Sequence, residues 1–193
     1  NIKLSILNNL SLRNILRFSS SSTNKYSKVL TEEISNGAAK SMLYAAGLTR
    51  DNIKSPQVGV CSMWFEGNPC NNHLNKHQNL IKESLKTSNL NSFCFNTIGV
   101  SDGISMGTVG MYYSLPSRDL IADSIESVCT GQSYDGCVVI PGCDKNIPGA
   151  LMGMIRVNRP SMMVYGGTIR SGNYCNKPVD IVSAFQSYGE YLK

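Results

Sequence analysis

The chain has 193 residues, 41% hydrophobic and 16% charged, an apolar content that excludes disorder, while no apolar run is long enough to span a bilayer. The net charge of +5 is concentrated at one end: residues 1–31 hold Lys3, Arg13, Arg17, Lys25 and Lys28 and no acid, leaving 13 basic and 13 acidic residues elsewhere. A neutral body has no basic face, which excludes a nucleic-acid binder.

Residues 1–27 read as a mitochondrial-type transit peptide. Leu4, Leu7, Ile15, Leu16 and Phe18 share an apolar helical face opposite Arg13 and Arg17, and the run Ser19 to Ser22 follows. A basic, Ser-rich, acid-free composition also fits a plastid address. Next, Thr31 as N-cap, Glu32 and Glu33 in a first turn and Gly47 as terminator predict a helix over 32–46.

Three similar units follow, each a short apolar strand, a Gly-containing loop and an amphipathic helix. The first has a strand over 57–64, a loop over 65–71 and a helix over 73–86. The second has a strand over 92–98, a loop over 99–116 and a helix over 117–129. The third has a strand over 136–140, a loop over 141–147 and a helix starting at Pro148 and ending at Val157, proline suiting a first helical turn. A fourth strand over 161–165 leads into Gly166-Gly167. This alternation predicts an α/β fold with a mostly parallel sheet and helices on both faces, a three-layer sandwich. The three loops then gather at the carboxyl edge of the sheet, where ligands bind in such folds.

Those loops carry the chemistry. The first holds Cys70 in Asn68-Pro69-Cys70-Asn71, the second Asp102 between Ser101 and Gly103, and the third Cys143, Asp144 and Lys145 after Pro141-Gly142. Thiolate is a soft ligand and carboxylate a hard one, so the set fits two centres side by side better than one metal. Two cysteines are too few for an ordinary four-thiolate cluster. Lys145 as a cation would repel a divalent metal; it reads either as an anchor for a substrate carboxylate or, as a carbamate, as an anionic oxygen ligand.

The other candidates have plainer readings. Seven cysteines, an odd number at irregular spacing, do not make a disulfide framework and fit a reducing compartment. Cys61, Cys94, Cys129 and Cys137 read as small buried hydrophobes; Cys175 lies in a polar loop and stays undecided. His73 and His77 have the spacing of a helical zinc pair, but the glutamate of the zinc-protease pattern is missing. Gly103 to Gly107 lacks the ending of a phosphate-binding P-loop. Asp119 and Asp123 read as a solvated helix face. Low charge, a start at Asn1 and an end at Lys193 inside a predicted helix read together as a piece of a longer chain.

Four strings, Asn68 to Asn71, Asn96 to Gly107, Ser114 to Glu126 and Pro141 to Gly149, resemble the dihydroxy-acid dehydratase (IlvD/Edd) family, and the resemblance runs from about Gly37 to Lys193. The related 6-phosphogluconate dehydratases share Cys-Asp-Lys but differ around the first two loops. Sugar-acid dehydratases share the Pro-Cys string and usually place Glu where Asp102 stands. Pro-Gly-Cys-Asp-Lys-Asn favours the branched-chain amino-acid enzymes over both.

The resemblance implies that residues 28–193 are the incomplete N-terminal portion of an iron–sulfur dehydratase domain. It implies Cys70 and Cys143 as two of three cysteine ligands of an iron–sulfur cluster, [2Fe-2S] or [4Fe-4S]. It implies Asp102, Asp144 and a carbamylated Lys145 as Mg²⁺ ligands. The third cysteine and a serine base belong to sequence beyond Lys193, so no catalytic residue is expected in this chain and the chain alone is expected to be inactive. The implied reaction dehydrates a small 2,3-dihydroxy acid to a 2-keto acid, in a homodimeric full-length enzyme of the mitochondrion or plastid with no nucleic-acid or membrane partner. A sugar-acid dehydratase and a thiol- or zinc-binding module are the competing readings.

Overall fold

A computed structural model describes residues 23–193. Residues 1–22 of the expected presequence lie outside that range. Asn24 to Ser27, placed in the presequence by composition, belong to the folded body: Asn24 and Ser27 are buried. The amides of Tyr26 and Ser27 both donate to Asp135 Oδ1, at 2.7 and 3.1 Å.

The helix predicted over 32–46 begins differently. A short helix α1 (Lys28–Thr31) is followed by a 3₁₀ turn (Ile34–Asn36) and α2 (Gly37–Ala45). Thr31 is not an N-cap; it closes α1, its side chain turned inward with Oγ1 donating to the Ser27 carbonyl. Glu33 is extended, which breaks the helix there. The stop holds, since Gly47 takes the positive φ of 104° that ends the segment.

The core is a four-stranded parallel sheet in the order β2-β1-β3-β4, with β1 Gln57–Ser62, β2 Asn91–Asn96, β3 Gly136–Ile140 and β4 Ser161–Met163. Strand β3 is buried at every position, as expected of a central strand covered on both sides. The crossover helices are α3 (Leu74–Thr87), α5 (Ser117–Gly131) and α6 (Asn146–Val157). Between β2 and α5 lie a one-turn helix, α4 (Asp102–Ser105), and a 3₁₀ segment (Val109–Tyr113).

The strand order places the helices. The β1-to-β2 and β2-to-β3 connections run in opposite directions across the sheet, so right-handed crossovers put α3 on one face and α5 and α6 on the other. Gln78 on α3 fastens its face, donating to the carbonyls of Val60 and Phe95 at 2.8 and 2.9 Å. On the opposite face α6 lies directly on α5: a Cβ on Gly149 would come within 3.0 Å of Ile121 Cβ, and one on Gly153 within 2.9 Å of Ile125 Cβ. Two glycines one turn apart thus allow the close approach of these helices.

A hairpin, β5 (Gly172–Tyr174) and β6 (Lys177–Val179), and helix α7 (Ile181–Tyr191) complete the described chain. Cys175, exposed, forms the hairpin tip with Asn176, both at positive φ. Cys61, Cys129 and Cys137 are buried as expected, whereas Cys94 is exposed. It lies on β2, one of the two edge strands of the sheet, which has a neighbour on one side only among the described residues.

Candidate functional site

Strand β1 leads outward to β2 on one side, and the chain then returns past it to β3. The sheet therefore has its topological switch between β1 and β3, the place where folds of this kind form a ligand crevice beyond the carboxyl ends of the strands. The loops carrying Cys70 and Cys143 leave these two strands, so the fold brings both cysteines to the crevice.

The loops touch at backbone level. A Cβ on Gly142 would fall 2.5 Å from the Cys70 carbonyl oxygen and 2.7 Å from Asn71 Oδ1, so only glycine fits there. Burial pushes the Cys143 thiol above its ordinary range, and the neighbouring Cys70 thiol adds to the shift. Cys143 is 8% exposed, and its Sγ lies 3.6 Å from Asp144 Oδ1. It lies three residues before α6, whose N-cap is Lys145, and the helix dipole favours negative charge near that end.

Beside the thiols lies a hard-donor group. Lys145 Nζ donates to Asp102 Oδ2 and to Asp144 Oδ2, each at 2.7 Å. Asp102 is further fixed by the Ser114 hydroxyl, which donates to Oδ1. Burial opposes ionisation of Asp144, but hydrogen bonding and charge from Lys145 outweigh it and hold the carboxyl below its usual range. The hydrogen bonds that Lys145 donates, to Asp102 first and then to Asp144, hold the pKa of its ammonium above the ordinary lysine value. All five residues singled out in the sequence thus meet at one edge of the sheet.

The connecting asparagines carried no signal of their own. Asn68, fully buried, accepts the Cys70 amide at 3.0 Å and donates to the Gly99 carbonyl at 3.0 Å, joining the first and second loops. Asn71 donates to Asn146 across 75 residues, joining the first and third. In the sequence these read as loop polarity; their partners are set by the tertiary fold.

The histidines make no zinc pair. His73 Nε2 lies 2.7 Å from the Gly166 carbonyl, and the two rings meet edge to face with centroids 5.4 Å apart. Asp119 and Asp123 do lie on an exposed helix face, where Arg156 bridges to them at 3.9 and 2.6 Å. Among the described residues no three of His, Cys, Asp and Glu are grouped as a metal-binding set.

The family described as "Dihydroxy-acid/6-phosphogluconate dehydratase N-terminal" matches residues 55–193. The chain belongs to this dehydratase family. It is 61% identical over 172 residues to the mitochondrial dihydroxy-acid dehydratase of Schizosaccharomyces pombe, covering 88% of this chain and 29% of that one. It is 57% identical over 169 residues to the dihydroxy-acid dehydratase of Francisella tularensis subsp. novicida, covering 88% and 30%. It is 56% identical over 169 residues to the chloroplastic dihydroxy-acid dehydratase of Arabidopsis thaliana, covering 88% and 28%. The chain therefore spans less than a third of the length of these dehydratase relatives.

The donor chemistry fits the two centres that the family resemblance implies. Two neighbouring thiols supply soft ligands, and Gly142 lets the two loops that carry them pack in contact, which any Cβ would prevent. Asp102 and Asp144 converge on a positive charge, that of the Lys145 ammonium. This is the arrangement that would hold a hard cation.

Proposed function

We propose that this chain contributes the N-terminal part of a dihydroxy-acid dehydratase, which removes water from 2,3-dihydroxy-3-methyl acids to give 2-keto acids in branched-chain amino-acid biosynthesis. The observation that carries the reading is the meeting of Cys70 and Cys143 beside the Asp102–Lys145–Asp144 group at the switch point of the sheet. The identity to curated dihydroxy-acid dehydratases supports the choice of substrate class.

In this reading Cys70 and Cys143 hold an iron–sulfur cluster, and Asp102, Asp144 and a carbamylated Lys145 hold Mg²⁺. When bound, the two groups supply Lewis-acid assistance to the departing hydroxyl and charge stabilisation where the C2 proton is lost. Cys143 and Asp144, adjacent in the chain, bring soft and hard donors to neighbouring positions, as adjacent reacting carbons require. Asn68 and Gly142 fix the Cys70 and Cys143 loops, and Ser114 orients Asp102. The proton acceptor and the remaining cluster ligand come from other parts of the enzyme. The acid-free, Ser-rich start of the chain supports import into an organelle, in keeping with fungal relatives named mitochondrial and a plant relative named chloroplastic.

A substrate panel on the full-length protein tests the proposal, with 2-keto acid formation as the readout. Rapid turnover of 2,3-dihydroxy-3-methylbutanoate and slow turnover of sugar acids is expected. Preference for 6-phosphogluconate or another sugar acid would transfer the chain to the other branch of the family. A zinc-loaded, colourless protein without Mg²⁺ dependence would remove the enzyme reading.

A further inference from the structure

Asn71 and Asn146 are fully buried, and each uses only half of its amide. Asn71 Nδ2 donates to the Met63 carbonyl at 2.6 Å and to Asn146 Oδ1 at 2.8 Å. Asn146 Oδ1 also accepts the backbone N–H of Cys143 at 3.0 Å. The other halves, Asn71 Oδ1 and Asn146 Nδ2, have no hydrogen-bond partner. Leaving buried polar atoms unmatched is costly, and each such case calls for a reason. Here Asn71 acts as a donor and Asn146 as an acceptor, in a chain running from the residue after Cys70 to the amide of Cys143.

We propose that Asn71 and Asn146 are positioning residues that fix the spacing of the Cys70 and Cys143 thiols before any cluster is loaded. This rests on the proposed function, in which those thiols are ligands. The hydrogen bonds span the crevice from the loop after β1 to the start of α6. They also hold the Cys70 carbonyl against the α-carbon of Gly142, where a Cβ would lie 2.5 Å away. Residues that orient ligands in this way commonly affect metal affinity by about 10- to 100-fold.

The division of roles makes the two positions respond oppositely to aspartate. Asn146→Asp keeps the oxygen that accepts from Cys143 and Asn71 and exchanges an unpartnered NH₂ for a second carboxyl oxygen. Asn71→Asp replaces the donor by a carboxylate facing the Met63 carbonyl and Asn146 Oδ1, two acceptors. Asn146→Leu removes the acceptor and strands both donors.

The test uses the full-length protein handled without oxygen. One readout is iron and acid-labile sulfide per chain with the visible absorbance of the cluster. The second, on metal-free protein, is capture of the thiol pair by phenylarsine oxide, in which two As–S bonds form and the arsenic-bound oxygen leaves as water with the two thiol protons. Thermal unfolding is followed alongside. Asn146→Asp is expected to match wild type in both readouts, whereas Asn71→Asp and Asn146→Leu lose cluster affinity and capture rate by about tenfold or more.

Wild-type behaviour of a folded Asn146→Leu overturns the proposal, and so does an Asn146→Asp as impaired as Asn71→Asp. Should Asn146→Leu fail to fold, the two aspartate variants carry the test alone. Wild-type protein that takes up no iron, with arsenical capture still separating the two aspartates, removes the cluster reading and leaves the positioning role standing.

Discussion

Lys145 and Asp102, 43 residues apart in the chain, are joined by a 2.7 Å hydrogen bond from Nζ to Oδ2. The bond ties the loop after β3 to the loop after β2, and Asp144 accepts a second one from the same ammonium at 2.7 Å. The Lys145 and Asp102 side chains are 24% and 16% exposed, and the Asp144 side chain is 62% exposed. Water therefore screens much of this interaction, and it contributes about 1 kcal/mol or less to stability. Lys145→Met should leave the unfolding midpoint in urea nearly unchanged while lowering Mg²⁺-dependent turnover by about 100-fold. Unchanged turnover would contradict its place among the ligands.

The same geometry sets a condition on carbamylation. The two carboxylates keep the Lys145 amine protonated, and only a neutral amine attacks CO₂. Mass spectrometry under native conditions should find one added CO₂ on Lys145 when Mg²⁺ and bicarbonate are supplied together, and none with bicarbonate alone. An unmodified amine in the metal-loaded enzyme would contradict the carbamate.

At the opposite edge of the sheet, Asp135 is buried and accepts from Tyr26 and Ser27 through Oδ1 and from the Gln57 amide through Oδ2 at 2.8 Å. Arg159 lies over the Tyr26 ring, 4.1 Å from its centroid. Asp135→Ala would strand buried amides, at a cost of about 2–4 kcal/mol, measurable by urea denaturation. A truncation of residues 1–27 should be less stable by a similar amount than a truncation of residues 1–22. If the proposed import and processing take place, the mature protein should therefore begin at or before Asn24. Equal stability of the two truncations would show that the segment is dispensable.

Burial pushes the Tyr134 phenol up to about 12, with smaller contributions from Cys129 and Cys94. Its ring stacks on Phe93, with centroids 5.5 Å apart and an interplanar angle of 3°. The folded state thus favours the neutral phenol more than the unfolded chain does, in which tyrosine ionises near pH 10. The resulting stabilisation is complete below about pH 10 and is lost as pH rises through about 12. Tyrosinate absorbance of wild type minus Tyr134→Phe should show this late step. A difference titrating near pH 10 would contradict the burial argument.

Much of this fold is legible in the sequence where one level of structure decides the outcome. Strand β3 is a short apolar run buried on both sides, and its limits were read without change. Helix α6 starts at Asn146, before the expected Pro148, because proline is tolerated throughout a first turn whose N–H groups lack intrahelical partners. Thr31 failed as a start signal because its hydroxyl serves the preceding turn. Cys70, Asp102 and Cys143 could be selected because each combines a ligand side chain with a neighbouring glycine or proline, and Asp144 and Lys145 because they continue the same loop from Cys143. Asn68, Asn71 and Asn146 could not, since an asparagine in a loop looks the same whether it faces water or a buried carbonyl. Asn24 to Ser27 were hidden by a composition that continues that of the expected presequence, although Asp135 binds the amides of Tyr26 and Ser27.

The most direct test of the account is the iron and sulfide content of full-length protein purified without oxygen, for wild type, Cys70→Ala and Cys143→Ala. The account predicts a coloured wild type, loss of the cluster absorbance and dehydratase activity in both variants, and little change in secondary structure. Full cluster content and activity in Cys143→Ala would contradict it.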